Sequence, residues 1–160
     1  MKGHLMRHYT ATGYVVIKGT ILLHWHKKVK LWLPPGGHIE KDESPSTAVL
    51  REVMEETSLK VDIFPQIETI KFEYPEISHS PRHILIADVQ DPVEGNHQHI
   101  DLIYYCTAVE DCINKLSEGW ITATHQELNV NKSSFSTDIS FSKDVREIGM
   151  LAIASVSNNM

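Results

Sequence analysis

One uninterrupted helical pattern, Ser46 to Thr57, stands inside a chain whose other apolar runs, up to a second helical spacing near its end, are short, β-rich and closed by turn residues. That contrast restricts the fold to a sheet with few helices. Ser44-Pro45 just before the window supplies an N-cap and a proline at the first helical position. Upstream, GYVVIK and TILLHWH flank Gly19 and predict two strands joined by a tight turn. The next run, VKLWL, ends at Pro34-Pro35-Gly36-Gly37, which predicts an ordered loop without a ladder leading to the helix. Downstream, LKVDIF, ETIKFEY, HILIADV and HIDLIYYCTAV predict strands, with Asp91 to Gln98 as an exposed loop between the last two. Apolar spacing at Val145, Ile148, Leu151 and Ala152 after Ser142 predicts a terminal helix over 142–156. No repeat or linker divides residues 1–160, so a single domain is expected.

The helix carries Glu52, Glu55 and Glu56 with no lysine among them. At about 100° per residue these fall on one side, opposite Val49, Leu50, Val53, Met54 and Thr57. Like charges one turn apart repel by a few tenths of a kcal/mol each when exposed, so something should compensate. A divalent cation would do so, and carboxylate oxygens without Cys or His partners suit Mg²⁺ or Mn²⁺ better than zinc. The alternative is a solvated acidic face. Arg51 is the helix's one cation and reaches Glu55 one turn on, so it can orient carboxylates without neutralising all of them. Gly36-Gly37 allows a close backbone approach that could add a carbonyl oxygen.

A net charge of −6 argues against a nucleic-acid partner, which a basic patch would signal. The start of the chain, MKGHLMRHYTATG, has no apolar h-region and no run could span a bilayer. A cytoplasmic location without membrane contact is the expectation. Cys106 and Cys112 match neither a redox pair nor a zinc spacing and read as reduced thiols. His24/His26 and His97/His99 each share a strand face by their i,i+2 spacing, yet no third ligand lies at zinc spacing.

Residues 37–59 resemble the Nudix box of the Nudix (MutT-like) pyrophosphohydrolases: Gly, five residues, Glu, seven residues, then Arg-Glu-aliphatic-x-Glu-Glu-x-Gly-aliphatic. The matches are Gly37, Glu43, Arg51, Glu52, Val53, Glu55, Glu56 and Leu59; Ser58 replaces the box glycine at a position where a left-handed residue is commonly needed. LWLPPGGHIE, HIDLIYY and GWITATHQEL extend the likeness over most of the chain.

The resemblance implies an α/β/α sandwich around a mixed sheet. It also implies hydrolysis of a nucleoside diphosphate linked to another moiety: a nucleoside triphosphate, ADP-ribose, a nucleotide sugar or a dinucleoside polyphosphate. It implies Mg²⁺, with Mn²⁺ as a substitute, held by Glu52, Glu55, Glu56 and the Gly37 carbonyl. Arg51 and Glu43 would orient the ligands, Glu52 would be the general base, and His38 is a candidate substrate contact. Glu94 and Asp101 are alternative bases, because some relatives take theirs from elsewhere. A small-molecule nucleotide is the implied partner, and a homodimer stays open since small relatives often dimerise. The rival readings are a nucleotide-sensing module on the same fold, which usually loses box carboxylates, and an isoprenoid diphosphate isomerase, whose cysteine motif is not recognisable here.

Overall fold

The computed structural model describes residues 6–65, 73–109, 116 and 118–158. Among them eight strands form one mixed sheet: β1 (Arg7–Ile17), β2 (Thr20–His26), β3 (Leu31–Leu33), β4 (Gly36–His38), β5 (Val61–Ile63), β6 (His83–Asp91), β7 (Gly95–Ala108) and β8 (Trp120–Thr124). Three helices accompany it, α1 (Pro45–Thr57), α2 (His125–Val130) and α3 (Lys143–Ser157). None is long and apolar enough to cross a membrane.

The centre of the sheet is a parallel ladder between β1 and β7, in register from Arg7 opposite Gln98 to Val16 opposite Thr107. Side chains alternate across a strand, so this ladder sorts residues to two faces. Ala11, Val15, Ile17, Tyr104 and Cys106 pack with Ala48, Val49 and Val53 of α1. Tyr14, Val16, Ile103 and Tyr105 pack with Leu128 of α2 and with Val145, Ile148, Ala152 and Ile153 of α3. The result is the expected α/β/α sandwich, acidic helix on one face and terminal helix on the other.

Local sequence explains the elements. Lys18 and Gly19 both take positive φ (49° and 75°), as a two-residue hairpin turn with the right twist demands. The Ser44 hydroxyl accepts from the Thr47 N–H at 3.1 Å and Pro45 occupies the first turn of α1. The apolar stripe of α1 is narrower than expected: Ala48, Val49, Val53 and Thr57 are buried, whereas Leu50 and Met54 stay exposed.

Three expectations change. Gly36 and Gly37 lie not in a ladder-free loop but in β4, antiparallel to β1, because without side chains the extended backbone can press against its neighbour. The loop expected over Asp91 to Gln98 shrinks to Pro92, Val93 and Glu94. Asp91 Oδ1 accepts from the N–H groups of Val93 and Glu94 at 2.7 and 3.1 Å, and Gly95 closes the turn at φ 78°. β1 starts six residues before GYVVIK, since its polar half, Arg7–Thr12, is held by β7. The run ETIKFEY lies outside the described residues except for Glu73 and Tyr74, which form a bend.

Ser58 caps α1 in the left-handed region (φ 58°, ψ 19°), its N–H bonded to the Met54 carbonyl at 2.8 Å. A Cβ there is unfavourable, and the exposed Ser58 side chain returns no packing. Ser58→Gly is therefore expected to stabilise the fold by about 1 kcal/mol and Ser58→Val to destabilise it, read from urea unfolding midpoints.

Candidate active site

Arg51 organises the acidic face of α1. Its Nε and Nη2 donate to the two carboxylate oxygens of Glu43, each at 2.9 Å. Nη1 donates to Glu52 Oε1 at 2.8 Å and to Glu55 Oε2 at 3.2 Å, and Nη2 also reaches the His38 carbonyl at 3.0 Å. Every N–H of the guanidinium thus has an acceptor, in the planar two-pronged geometry that suits arginine and not lysine. The paired carboxylates push Arg51 further toward the protonated form, and the Arg51 bonds hold Glu43 below the usual carboxylate range.

The loop before the helix completes the array. The Gly36 N–H donates to Glu56 Oε2 at 3.1 Å. A Cβ added at Gly37 would lie 2.5 Å from Glu52 Oε1, so only glycine lets β4 and the Glu52 carboxylate occupy their places together. Burial, with Glu52 and Glu55 adding repulsion, raises the Glu56 carboxyl above its ordinary value despite the Gly36 bond. Glu43, Arg51, Glu52, Glu55, Glu56 and Gly37 are thereby gathered at one junction of α1 and β4.

Beside this junction lies a cleft of about 710 Å³ on the opposite face of β1, reached by Gly36, Gly37 and His38 from one side. Its size suits a nucleotide-scale ligand. Thr10, Thr12 and Asp101 line it. Asp101 accepts from the Thr10 and Thr12 hydroxyls at 2.9 Å, and burial outweighs these bonds to raise its carboxyl. Lys28, ion-paired with Asp91, and His24 stand farther along the cleft. Burial, then His26, lowers the His24 imidazole.

Local spacing offers His97 and His99 no third histidine. The structure supplies two. In the β1–β7 ladder His8 is directly opposite His99, and in β4 His38 is opposite Thr10, on the same face. Ring centroids are 4.6 Å apart for His8 and His97, 5.0 Å for His97 and His99, and 5.0 Å for His38 and His99. His99 is pushed down to about 4, chiefly by burial and then by His38, His97 and His8. Glu94, on the turn above, approaches His8 Nδ1 at 3.6 Å and His97 Nε2 at 3.9 Å. Strand pairing between distant residues made this cluster, and no local spacing encodes it.

Arg82, Trp32, Tyr104 and Tyr105 lie outside both the acidic array and the cleft lining. Arg82 donates to the carbonyls of Phe64 and Pro65, at 3.4 and 2.8 Å. Tyr104 and Tyr105 are core, and Trp32 packs against Trp25. Burial pushes the Cys106 thiol up to about 12, which removes it as a nucleophile at neutral pH; Cys112 lies outside the described residues.

Comparison with known proteins agrees with the fold. A family model described as the NUDIX domain matches residues 6–115. A stretch of 52 residues is 38% identical to the 8-oxo-dGTP diphosphatase of Escherichia coli (strain K12), covering 32% of this chain and 36% of that protein, so the match spans about a third of that curated relative. The crystal structure of a NUDIX family hydrolase from Clostridium perfringens superposes with a TM-score of 0.75 at 28% identity, over 95% of this chain and 99% of that one. The MutT protein of Methanosarcina mazei Go1 shares the fold, with a TM-score of 0.58 at 15% identity over 98% of this chain and 99% of that one.

His99 gives the fold a pH dependence. His99 is neutral in the folded chain down to about 4 but titrates near the ordinary 6.5 when unfolded. Between those values the unfolded chain binds more protons, so His99 makes stability fall as pH drops from about 6.5 to 4. In chelator-treated buffer His99→Gln is expected to flatten that part of the stability profile, measured by urea midpoints at stepped pH.

Proposed function

The chain belongs to the NUDIX domain family, and from that membership we propose that it is a divalent-metal-dependent pyrophosphohydrolase, cleaving a nucleoside diphosphate linked to another moiety by attack of water on phosphorus. The observation that carries this reading is the Arg51 array, which aligns Glu43, Glu52 and Glu55 beside Gly37, a residue that itself lines a nucleotide-sized cleft.

The residues fit a hard cation. Glu52, Glu55 and Glu56 offer carboxylate oxygens with no thiolate or imidazole in the array, which favours Mg²⁺, with Mn²⁺ as a substitute. Burial chiefly raises the Glu56 carboxyl, and Glu52 and Glu55 add a repulsion that such an ion would relieve. When bound, the ion supplies charge neutralisation for the diphosphate oxygens, the main requirement of phosphoryl chemistry. Gly37 offers its carbonyl as a further oxygen donor.

Within this reading Arg51 and Glu43 hold the ligand carboxylates in place, and Glu52 accepts the proton of the attacking water. Asp101 and Glu94 are weaker candidates for that step: Asp101 is engaged by two threonine hydroxyls, and Glu94 faces the histidine cluster. His38, which lines the cleft from β4, is the candidate substrate contact. Among substrates, an oxidised deoxynucleoside triphosphate is the first to test because the E. coli relative is an 8-oxo-dGTP diphosphatase; ADP-ribose, nucleotide sugars and dinucleoside polyphosphates follow.

Purified protein with Mg²⁺ near pH 8.5 should cleave one of these classes at a diphosphate linkage, with products separated by chromatography. Glu55→Gln and Glu56→Gln should each lower turnover about a hundredfold or more. Near wild-type turnover in both variants would sink the carboxylate-metal reading. Tight nucleotide binding without cleavage in Mg²⁺ or Mn²⁺ would instead identify a sensing module.

A further inference from the structure

Among the described residues one set of three metal-competent side-chain atoms lies within 4.8 Å of one another, and it is not on the acidic helix but on His8, His97 and His99. Its members come from the two strands that anchor the sheet. His8 and His99 are ladder partners, and His97 precedes His99 by one pleat on the same face.

The orientation of His97 is fixed from behind. Its Nδ1 is 3.0 Å from the Gly95 carbonyl. A carbonyl only accepts, so Nδ1 carries the hydrogen and the Nε2 lone pair is left bare. This is the arrangement by which a backbone carbonyl presets a metal-binding imidazole. That Nε2 sits 3.1 Å from His99 Nε2, and the His97 side chain is 2% exposed, so its direction is set by packing. The Glu94 carboxylate closes the group, its Oε2 3.6 Å from His8 Nδ1 and 3.9 Å from His97 Nε2. A tetrahedral ion with bonds of about 2.0–2.1 Å holds its ligand atoms about 3.3 Å apart. Three of the six separations, 3.1, 3.6 and 3.9 Å, lie close to the edges of such a tetrahedron, and the three imidazole donors lie within 4.8 Å of one another.

We propose that His8, His97, His99 and Glu94 form a binding site for a divalent transition-metal ion of the zinc type, separate from the carboxylate array of α1. Three imidazoles and one carboxylate are a zinc donor set, whereas Mg²⁺ prefers oxygen ligands and keeps much of its water. Without the ion, His99 donates its Nε2 hydrogen to His97 Nε2. With it, His99 takes the Nδ1–H tautomer, so both Nε2 lone pairs face the metal. The ion thereby clamps the start of β1 to the β6–β7 turn. The site goes beyond the hydrolase reading and stands whether or not that reading holds.

The test uses untagged full-length protein stripped with chelator, then dialysed against Zn²⁺ and assayed for metal by mass spectrometry. Wild type should retain one equivalent of zinc, and Glu52→Gln should retain it equally. His8→Ala and His99→Ala should each weaken binding by tenfold or more, and zinc should raise the unfolding temperature of wild type but not of these two variants. Co²⁺ in wild type requires no substitution: strong visible bands of a tetrahedral centre support the site, and weak octahedral bands overturn it. Undiminished zinc binding in both histidine variants, loss of zinc in Glu52→Gln, or no bound equivalent in wild type would also overturn it.

Discussion

The parallel ladder between β1 and β7 sets the terms for the rest of the molecule. It commits one alternate set of residues, Ala11, Val15 and Tyr104 among them, to the core under α1. The other set begins with Tyr14 and Ile103 under α3 and turns polar toward the start of β1. There the ladder aligns Thr10 with Asp101 and His8 with His99. A slip of one residue in β7 would send Asp101 and His99 into the apolar core and Tyr104 into the cleft. Core and cleft are therefore specified by the same register.

Arg51 plays the corresponding part for α1. Three carboxylates within one helical turn destabilise that turn, and the half-buried position of Glu56 makes solvent screening incomplete there. The guanidinium offsets part of the repulsion by charge-assisted bonds to Glu43, Glu52 and Glu55, which are stronger and shorter than neutral ones. Its bond to the His38 carbonyl extends the array to β4. Glu56 is outside Arg51's reach and turns to the Gly36 N–H instead. The negative charge is oriented without being cancelled, which leaves the array acidic.

What was legible in the sequence depended on how local its cause was. The Ser44-Pro45 start and the left-handed position of Ser58 are decided by residues within a few positions, and both follow from the chain alone. Turn chemistry at Asp91 to Gly95 is also local, yet Pro and Gly there suggested a longer loop because the Asp91 side chain's two backbone bonds are not encoded in composition. β4 was missed for a different reason: Gly36-Gly37 has no strand propensity, and its pairing comes from β1 lying alongside. His8 is the extreme case. Nothing near it in sequence marks it, and only the parallel register brings it to His97 and His99.

His38 is where the two polar systems meet. Its backbone carbonyl accepts from Arg51, while its ring lies 5.3 Å from His8 and 5.0 Å from His99. Main chain and side chain of one residue thus touch the hard-oxygen array on one side and the imidazole cluster on the other. The sheet keeps the donor sets apart, because α1 packs on one face of β1 while the histidines project from the other. Separation by face keeps the carboxylate and imidazole donors from mixing. It also means that a shift of β4 would move the Glu52–Gly37 contact and the His38 ring together, because both belong to the same three-residue strand.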